Sequence, residues 1–362
     1  MRLAGFDVFR YSLPLRGPVM LGGTALHRRE GLLLRLSGDD GSEGWGESAP
    51  LPGFSPESLH RATAQLRGVA GTLLGRDITG DWTGREGGEL GRELERFAPA
   101  PSVRFGVELA VWNLRAASSG GSLPRLLAGR PRVPVNGLLS GSRDEVLQEA
   151  RHMKDAGYET VKLKVGAKAA AEDARLVSRL VEELGTSVSL RLDANRAWGY
   201  EQAAEFLGGV PHFEYLEEPL ANPGRLPQLV REFGVPVALD ETLVGMEPGV
   251  LGEHRYARAV VLKPTLLGGI SNTLRIAERA LDLGMRPVVS SSYESGVGTA
   301  ALVALASGIG ERPVPAGLDT YRRLAEDVLD MPLGLPAPSV DVGEAAVAAR
   351  TVDVGRLQVL QG

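Results

Sequence analysis

The sequence predicts an α/β protein, a parallel barrel preceded by an α+β unit, and three observations carry that expectation. From about residue 129, short apolar strands rich in β-branched residues alternate with amphipathic helical segments. Strands covered by helices on their outer side read as such continuous hydrophobic runs, and eight of them fit the barrel rhythm. Several strands also end on a charge, with Asp193, Glu217, Asp240 and Lys263 following one another at spacings of 24, 23 and 23 residues. A doubly wound open sheet is the competing topology for the same alternation.

The elements follow in order. Up to about residue 40 the chain reads as strands and turns, and GLLLRLSGDDGSEGWGES (31–48) reads as a hairpin with a Gly- and Asp-rich turn. Helical spacing begins in SPESLHRATAQLRGVAGTLL (55–74). There Ser55 is the candidate N-cap, Pro56 takes the first helical position, and Leu59, Ala62, Leu66 and Leu73 recur on one face. Another helix is expected from Ser102, with Phe105, Leu109 and Trp112 on one stripe. Strands followed by helices make residues 1–128 an α+β unit, and the Gly- and Pro-rich stretch 118–134 is its boundary. The barrel strands of 129–330 are VPVNGLL, TVKLKV, VSLRLDAN, FEYLEEP, PVALDE, AVVLKP, RPVVSSS and a weak eighth before AGLDT. In 331–362 the pieces PSVDV and ARTVDV break the repeat and are expected to return to the first unit.

Composition narrows the function. A net charge of −5 and a pI near 5.7 provide no basic surface for nucleic acid or acidic membranes, so neither partner is expected. The absence of cysteine excludes disulfides, zinc-thiolate sites and thiol nucleophiles. MRLAGFDVFRYSL alternates like a strand and lacks the apolar core of a signal peptide, which makes a cytoplasmic location the expectation.

The chain uses arginine for almost every positive charge; only Lys154, Lys162, Lys164, Lys168 and Lys263 depart from this among 40 basic residues. Two of the five stand two residues apart in TVKLKVG (160–166), and the strand period of two points both to the same side. In a barrel the strand ends converge at the C-terminal mouth, so Lys162, Lys164, Asp193, Glu217, Asp240 and Lys263 meet in one cavity. Three carboxylates gathered there drive one another toward protonation unless a cation neutralises them. Hard oxygen ligands with no His or Cys nearby select Mg²⁺ over zinc, with Mn²⁺ as a substitute. Neighbouring positive charges disfavour an ammonium, so one lysine of the pair can serve as a base, which a guanidinium cannot. The implied chemistry is removal of a proton α to a carboxylate of a small-molecule substrate.

At these residues the sequence resembles the enolase superfamily, and within it the muconate-lactonizing subgroup. The KLK, LDAN, EEP, LDE and LKP elements all match. The likeness extends to the o-succinylbenzoate synthase family through EGWGESAPLPGFSPES (43–58), PSVRFG (101–106), RLDANRAW (191–198), VLKPTLLGG (261–269), SSSYES (290–295) and AGLDT (316–320), nearly the whole chain. The resemblance implies a modified TIM-type (β/α)7β barrel with an N-terminal α+β capping domain. It implies that Asp193, Glu217 (the first acid of EEP, not Glu218) and Asp240 hold Mg²⁺, that Lys164 is the base, that Lys162 stabilises an enediolate, and that Lys263 holds the opposite face as a cation. Asn195, Ser290 and the backbone around Gly317 are the implied substrate contacts. The implied reaction is loss of water from 2-succinyl-6-hydroxy-2,4-cyclohexadiene-1-carboxylate in menaquinone biosynthesis. The stretch PVMLGGTALHRRE (18–30), read as a capping loop, matches least.

Other readings stay open at this stage. An N-acylamino acid racemase or dipeptide epimerase uses Lys164 and Lys263 as bases on opposite faces. GVGTAA (296–301) imitates a dinucleotide fingerprint, but its milder reading is a helix N-terminus facing an anionic substrate group. A ligand-binding barrel without catalysis is a further alternative. Arg191, two residues before Asp193, reads as a structural partner of the carboxylates.

Overall fold

The computed structural model describes residues 1–362 apart from Gly22, Asp81, 85–87 and 361–362. Its N-terminal unit rests on an antiparallel sheet in which β1 (Leu3–Leu21) and β2 (Thr24–Gly38) form one long hairpin and β3 (Glu43–Ser48) joins β2. The stretch 18–30 is therefore no loop. It is the far half of the hairpin, where the ladder shifts between Pro14 and Val19 and then pairs Leu21 with Thr24. A proline without an N–H favours such an irregularity. Gly22, within that stretch, lies outside the described residues.

Helix α1 (Leu59–Leu73) begins later than expected. Ser58, not Ser55, accepts the Arg61 amide as its cap, while the Ser55 hydroxyl accepts the Leu51 amide and closes a turn. Helix α2 (Gly88–Phe97) was not foreseen, and α3 (Pro101–Ser118) buries Phe105, Leu109 and Trp112 as anticipated. The glycines of EGWGES have a packing cause. A Cβ on Gly44 would stand 2.3 Å from the Ala110 oxygen and one on Gly46 would stand 2.0 Å from the Gly106 oxygen, so β3 lies directly on the backbone of α3.

After β4 (Arg132–Pro134) come seven parallel strands: β5 (Gly137–Leu139), β6 (Thr160–Lys164), β7 (Ser189–Asp193), β8 (Tyr215–Glu217), β9 (Val237–Leu239), β10 (Ala259–Leu262) and β11 (Arg286–Val289). They pair in sequence order. The eighth element shrinks to Ala316 and Gly317, which bridge Val135 on one side and Ser290 on the other. Their backbone hydrogen bonds to Pro134, Asn136, Val289 and Ser291 join the two edges, so the open-sheet topology is overturned. Along each strand the period of two holds: Tyr215, Ala238, Val261 and Val288, each two residues before a mouth residue, form a small buried cluster with Ala259.

The tail differs in part from expectation. PSVDV supplies β12 (Ser339–Asp341), which pairs with β4, and Val352 of ARTVDV bridges only Leu329. The return to the first unit is made later, where β13 (Gln358–Leu360) pairs antiparallel with β1. Among the described residues no helix is long and apolar enough to cross a membrane.

Candidate active site

The parallel register sets the site. Lys164 lies beside Asp193, and Asp193 beside Glu217, on adjacent strand ends. Lys162 Nζ reaches inward, 2.8 Å from both oxygens of Glu217 and 2.8 Å from Asp193 Oδ2. On the next strands Lys263 donates to Asp240. Lys164 is set apart: its side chain is 46% exposed, its Nζ donates to Asn195 Oδ1 at 2.6 Å, and Asp193 stands 3.8 Å away.

These contacts decide the charge states. Burial disfavours the Lys162 ammonium, but Asp193 and Glu217 outweigh it and hold the group well above the usual lysine range. Lys263 is raised in the same way, burial being overcome first by Asp240. The expected mutual lowering among the lysines is thus reversed for these two by the acids they touch. Burial would raise Asp193, yet Lys162 and Lys164 hold it below the ordinary carboxylate range. Glu217 is raised by burial and by the neighbouring charge of Asp193.

The three carboxylates suit a divalent cation by their chemistry. They are buried, they bring only hard oxygen donors, and Lys162 already bridges two of them as a positive charge. As the side chains lie, with ammonium groups between them, no group of three or more His, Asp or Glu side chains among the described residues is arranged to hold an ion. Glu218, excluded as a ligand at the sequence level, is engaged elsewhere: it accepts from Arg196 Nε at 2.9 Å and from the amides of Asp240 and Thr242.

The cavity above this cluster is lined by Lys162, Lys164, Lys263, Asp193, Asn195, Ser290 and Gly317 together. Glu217 and Asp240 lie beneath the lysines and do not line it. Asn195 sits at φ +42, with its amide on Asp193 Oδ1 and its Nδ2 on Glu241 Oε1. The Gly317 amide and carbonyl are both taken up in barrel closure. What Gly317 leaves the cavity is room, since a Cβ there would meet Ser290 Oγ at 2.5 Å.

Several cavity residues escaped sequence reasoning. Leu21 of the hairpin, Leu51, Phe54 and Tyr293 form an apolar wall, and Asn136, Leu138, Asp319 and Thr320 a second side. LPGFSP and AGLDT marked some of these positions as motifs without assigning them a contact. Arg191 is fully buried below the mouth, but its acidic partner is Glu214, and it also donates to Asn136 Oδ1 and Pro315 O.

GVGTAA opens the helix Gly296–Gly308, yet its amides are not free for a substrate anion. Those of Ser295 and Gly298 donate to Glu47, and that of Gly296 to Asp327. Glu47 also accepts from the Tyr11 and Ser295 hydroxyls, while Glu294 accepts from the Thr265 and Ser291 hydroxyls and the Ser292 amide. The helix dipole serves an internal carboxylate.

Comparison with known proteins agrees with this architecture. Residues 145–346 match the Enolase C-terminal domain-like family, and residues 1–114 match MenC, N-terminal domain. An o-succinylbenzoate synthase of Pasteurella multocida is 32% identical over 92% of this chain and 93% of its own length. One of Citrobacter koseri is 34% identical over 87% and 90%. The muconate lactonizing enzyme of Pseudomonas fluorescens, complexed with muconolactone, superimposes with a TM-score of 0.85 at 25% identity over 98% of both chains. With its strand-end charges, closed parallel sheet and capping hairpin, the chain belongs to the enolase superfamily.

Proposed function

We propose that this protein is an o-succinylbenzoate synthase, a hydro-lyase that converts 2-succinyl-6-hydroxy-2,4-cyclohexadiene-1-carboxylate to o-succinylbenzoate and water. Relatives bearing that name align over most of the chain at 32–34% identity. One observation carries the division of labour among the three lysines that line the cavity: Lys162 and Lys263 are locked to buried carboxylates as cations, whereas Lys164, the most exposed of the three, donates to a neutral amide.

Lys164 Nζ takes the α-proton, and the C–H electrons move toward the substrate carboxylate. Lys162, fixed as an ammonium, stabilises the enediolate charge, and Lys263 supplies a second fixed positive charge. The electrons then return to form the ring double bond as the β-hydroxyl leaves. The proton on Lys164 goes to that hydroxyl, which gives water on the same face and an aromatic ring. Asn195 holds the Lys164 amine in place, and Ser290 and Gly317 shape the room for the ring.

Enzymes of this superfamily depend on a divalent metal; here Asp193, Glu217 and Asp240 would hold Mg²⁺, with Mn²⁺ as a substitute. When bound, the ion supplies Lewis-acid stabilisation of negative charge on oxygen, typically several kcal/mol. The small carboxylate is the partner proposed, and the cytoplasm the location. A coupled assay for o-succinylbenzoate tests the proposal. Product is expected with Mg²⁺ and is lost with EDTA; no product from the Mg²⁺-supplied protein overturns it.

A further inference from the structure

Arg29 lies on β2 opposite Leu13 and is 1% exposed. Burying a guanidinium is costly unless its donors are met. Here they go to carbonyl oxygens: Nε to Tyr293 at 3.0 Å, Nη1 to Glu30 and Pro50 at 2.8 Å each, and Nη2 to Ala49 at 2.5 Å and Ser292 at 3.5 Å. One side chain of the hairpin thus fastens residues 49–50, which follow β3, to residues 292–293, which follow β11.

Both fastened segments run directly into the cavity wall. Leu51 and Phe54 come next after the first, Tyr293 belongs to the second, and they pack in one apolar cluster with Leu21 and Leu266. Tyr293 is held at φ +63, a strained conformation for a bulky side chain that persists only where neighbours impose it. Those neighbours are Arg29 on its carbonyl and the Ser291 hydroxyl on its amide.

We infer that Arg29 is a positioning residue that sets the apolar wall against the part of the substrate remote from the lysines, and so governs how that part is bound. The inference rests on the proposed synthase function. Arg29→Lys keeps the charge but offers three donors in place of five. It is expected to raise KM by about tenfold while kcat changes by less than about threefold. A purely structural role would lower the melting temperature and leave KM of the folded fraction unchanged, which overturns the inference. Phe54→Ala removes part of the wall without touching Arg29, and it too must raise KM selectively; an unchanged KM there is equally fatal.

Hydrogen exchange supplies a readout that needs no substrate. In Arg29→Lys, amides of 49–54 and 290–295 are expected to exchange faster while β6 to β10 keep wild-type protection; unaltered exchange in both segments overturns the clamp. Failure of the synthase function itself shows differently, as absence of product from the wild-type protein.

Discussion

Two buried acidic clusters in this molecule are built on opposite plans. At the barrel mouth Asp193, Glu217 and Asp240 are met by ammonium groups on flexible stems, Lys162 and Lys263, which the carboxylates themselves keep charged. At the domain junction Glu47 and Glu294 are met by neutral donors fixed in the framework, the hydroxyls of Tyr11, Thr265, Ser291 and Ser295 and the amides of Ser292, Ser295 and Gly298. All five acids are buried. Burial therefore does not distinguish the two clusters; the chemistry of their partners does. Partners that can carry or give up charge leave a site able to respond to a ligand, whereas neutral fixed donors make a joint.

The contrast is broken most directly at Lys164. Lys164→Ala is expected to lower kcat by about 10²–10⁴-fold with little change in the denaturant midpoint. Retention of more than about a tenth of kcat would show that the mouth is not catalytic in the way described. At the junction the effect should fall on stability. Glu47→Gln is expected to cost about 2–3 kcal/mol in urea unfolding, because donors now face an amide nitrogen or lose a charged acceptor. Its kcat per folded molecule should stay within about threefold of wild type, and a larger drop would merge the two clusters into one functional unit.

Asp319 sharpens the comparison, since it lines the cavity and combines one partner of each kind, the neutral Leu138 amide at 2.8 Å and the charged Arg322 at 3.0 Å. Burial pushes its carboxyl up to about 6, against the lowering effect of Arg322. The folded form then holds its proton more tightly than the unfolded chain. Its contribution to stability is full below the ordinary aspartate range and declines as pH rises through about 6. Asp319→Asn is expected to flatten that segment of the stability–pH curve, and an unchanged slope would remove Asp319 as its cause. The smallest effect is expected from Gly317→Ala, whose new Cβ must displace Ser290 Oγ. A loss on the order of 1 kcal/mol in kcat/KM, about fivefold, is the expected outcome of steady-state assays.

Much of the barrel was legible because strands buried on both sides announce themselves as apolar runs, and because charges recur at successive strand ends with the spacing of one βα unit. Asp193, Glu217, Asp240 and Lys263 show this, each standing where a hydrophobic run stops. The capping unit was less legible. The sequence before and within α2 is rich in glycine and glutamate, so its helical face rests on Leu90, Leu94 and the partly buried Phe97, and Ser55 and Ser58 offer equally good caps until tertiary turns choose between them. Arg29 and Glu47 were silent for another reason: their partners are mostly backbone groups and hydroxyls far away along the chain. Nothing in a local pattern encodes such a contact. The weak eighth strand, expected before AGLDT, falls instead on the first two residues of that motif, and its reduction to Ala316 and Gly317 depends on two barrel edges meeting.

The pairing of β13 with β1 has a consequence for biogenesis. The N-terminal sheet takes its outer strand from residues 358–360, which the ribosome adds after every barrel strand. Although domains generally mature from the N-terminus as they emerge, here β1, made before the barrel strands, keeps an open edge until they have been synthesised. Completion of the cap is thereby deferred to the end of translation of this region.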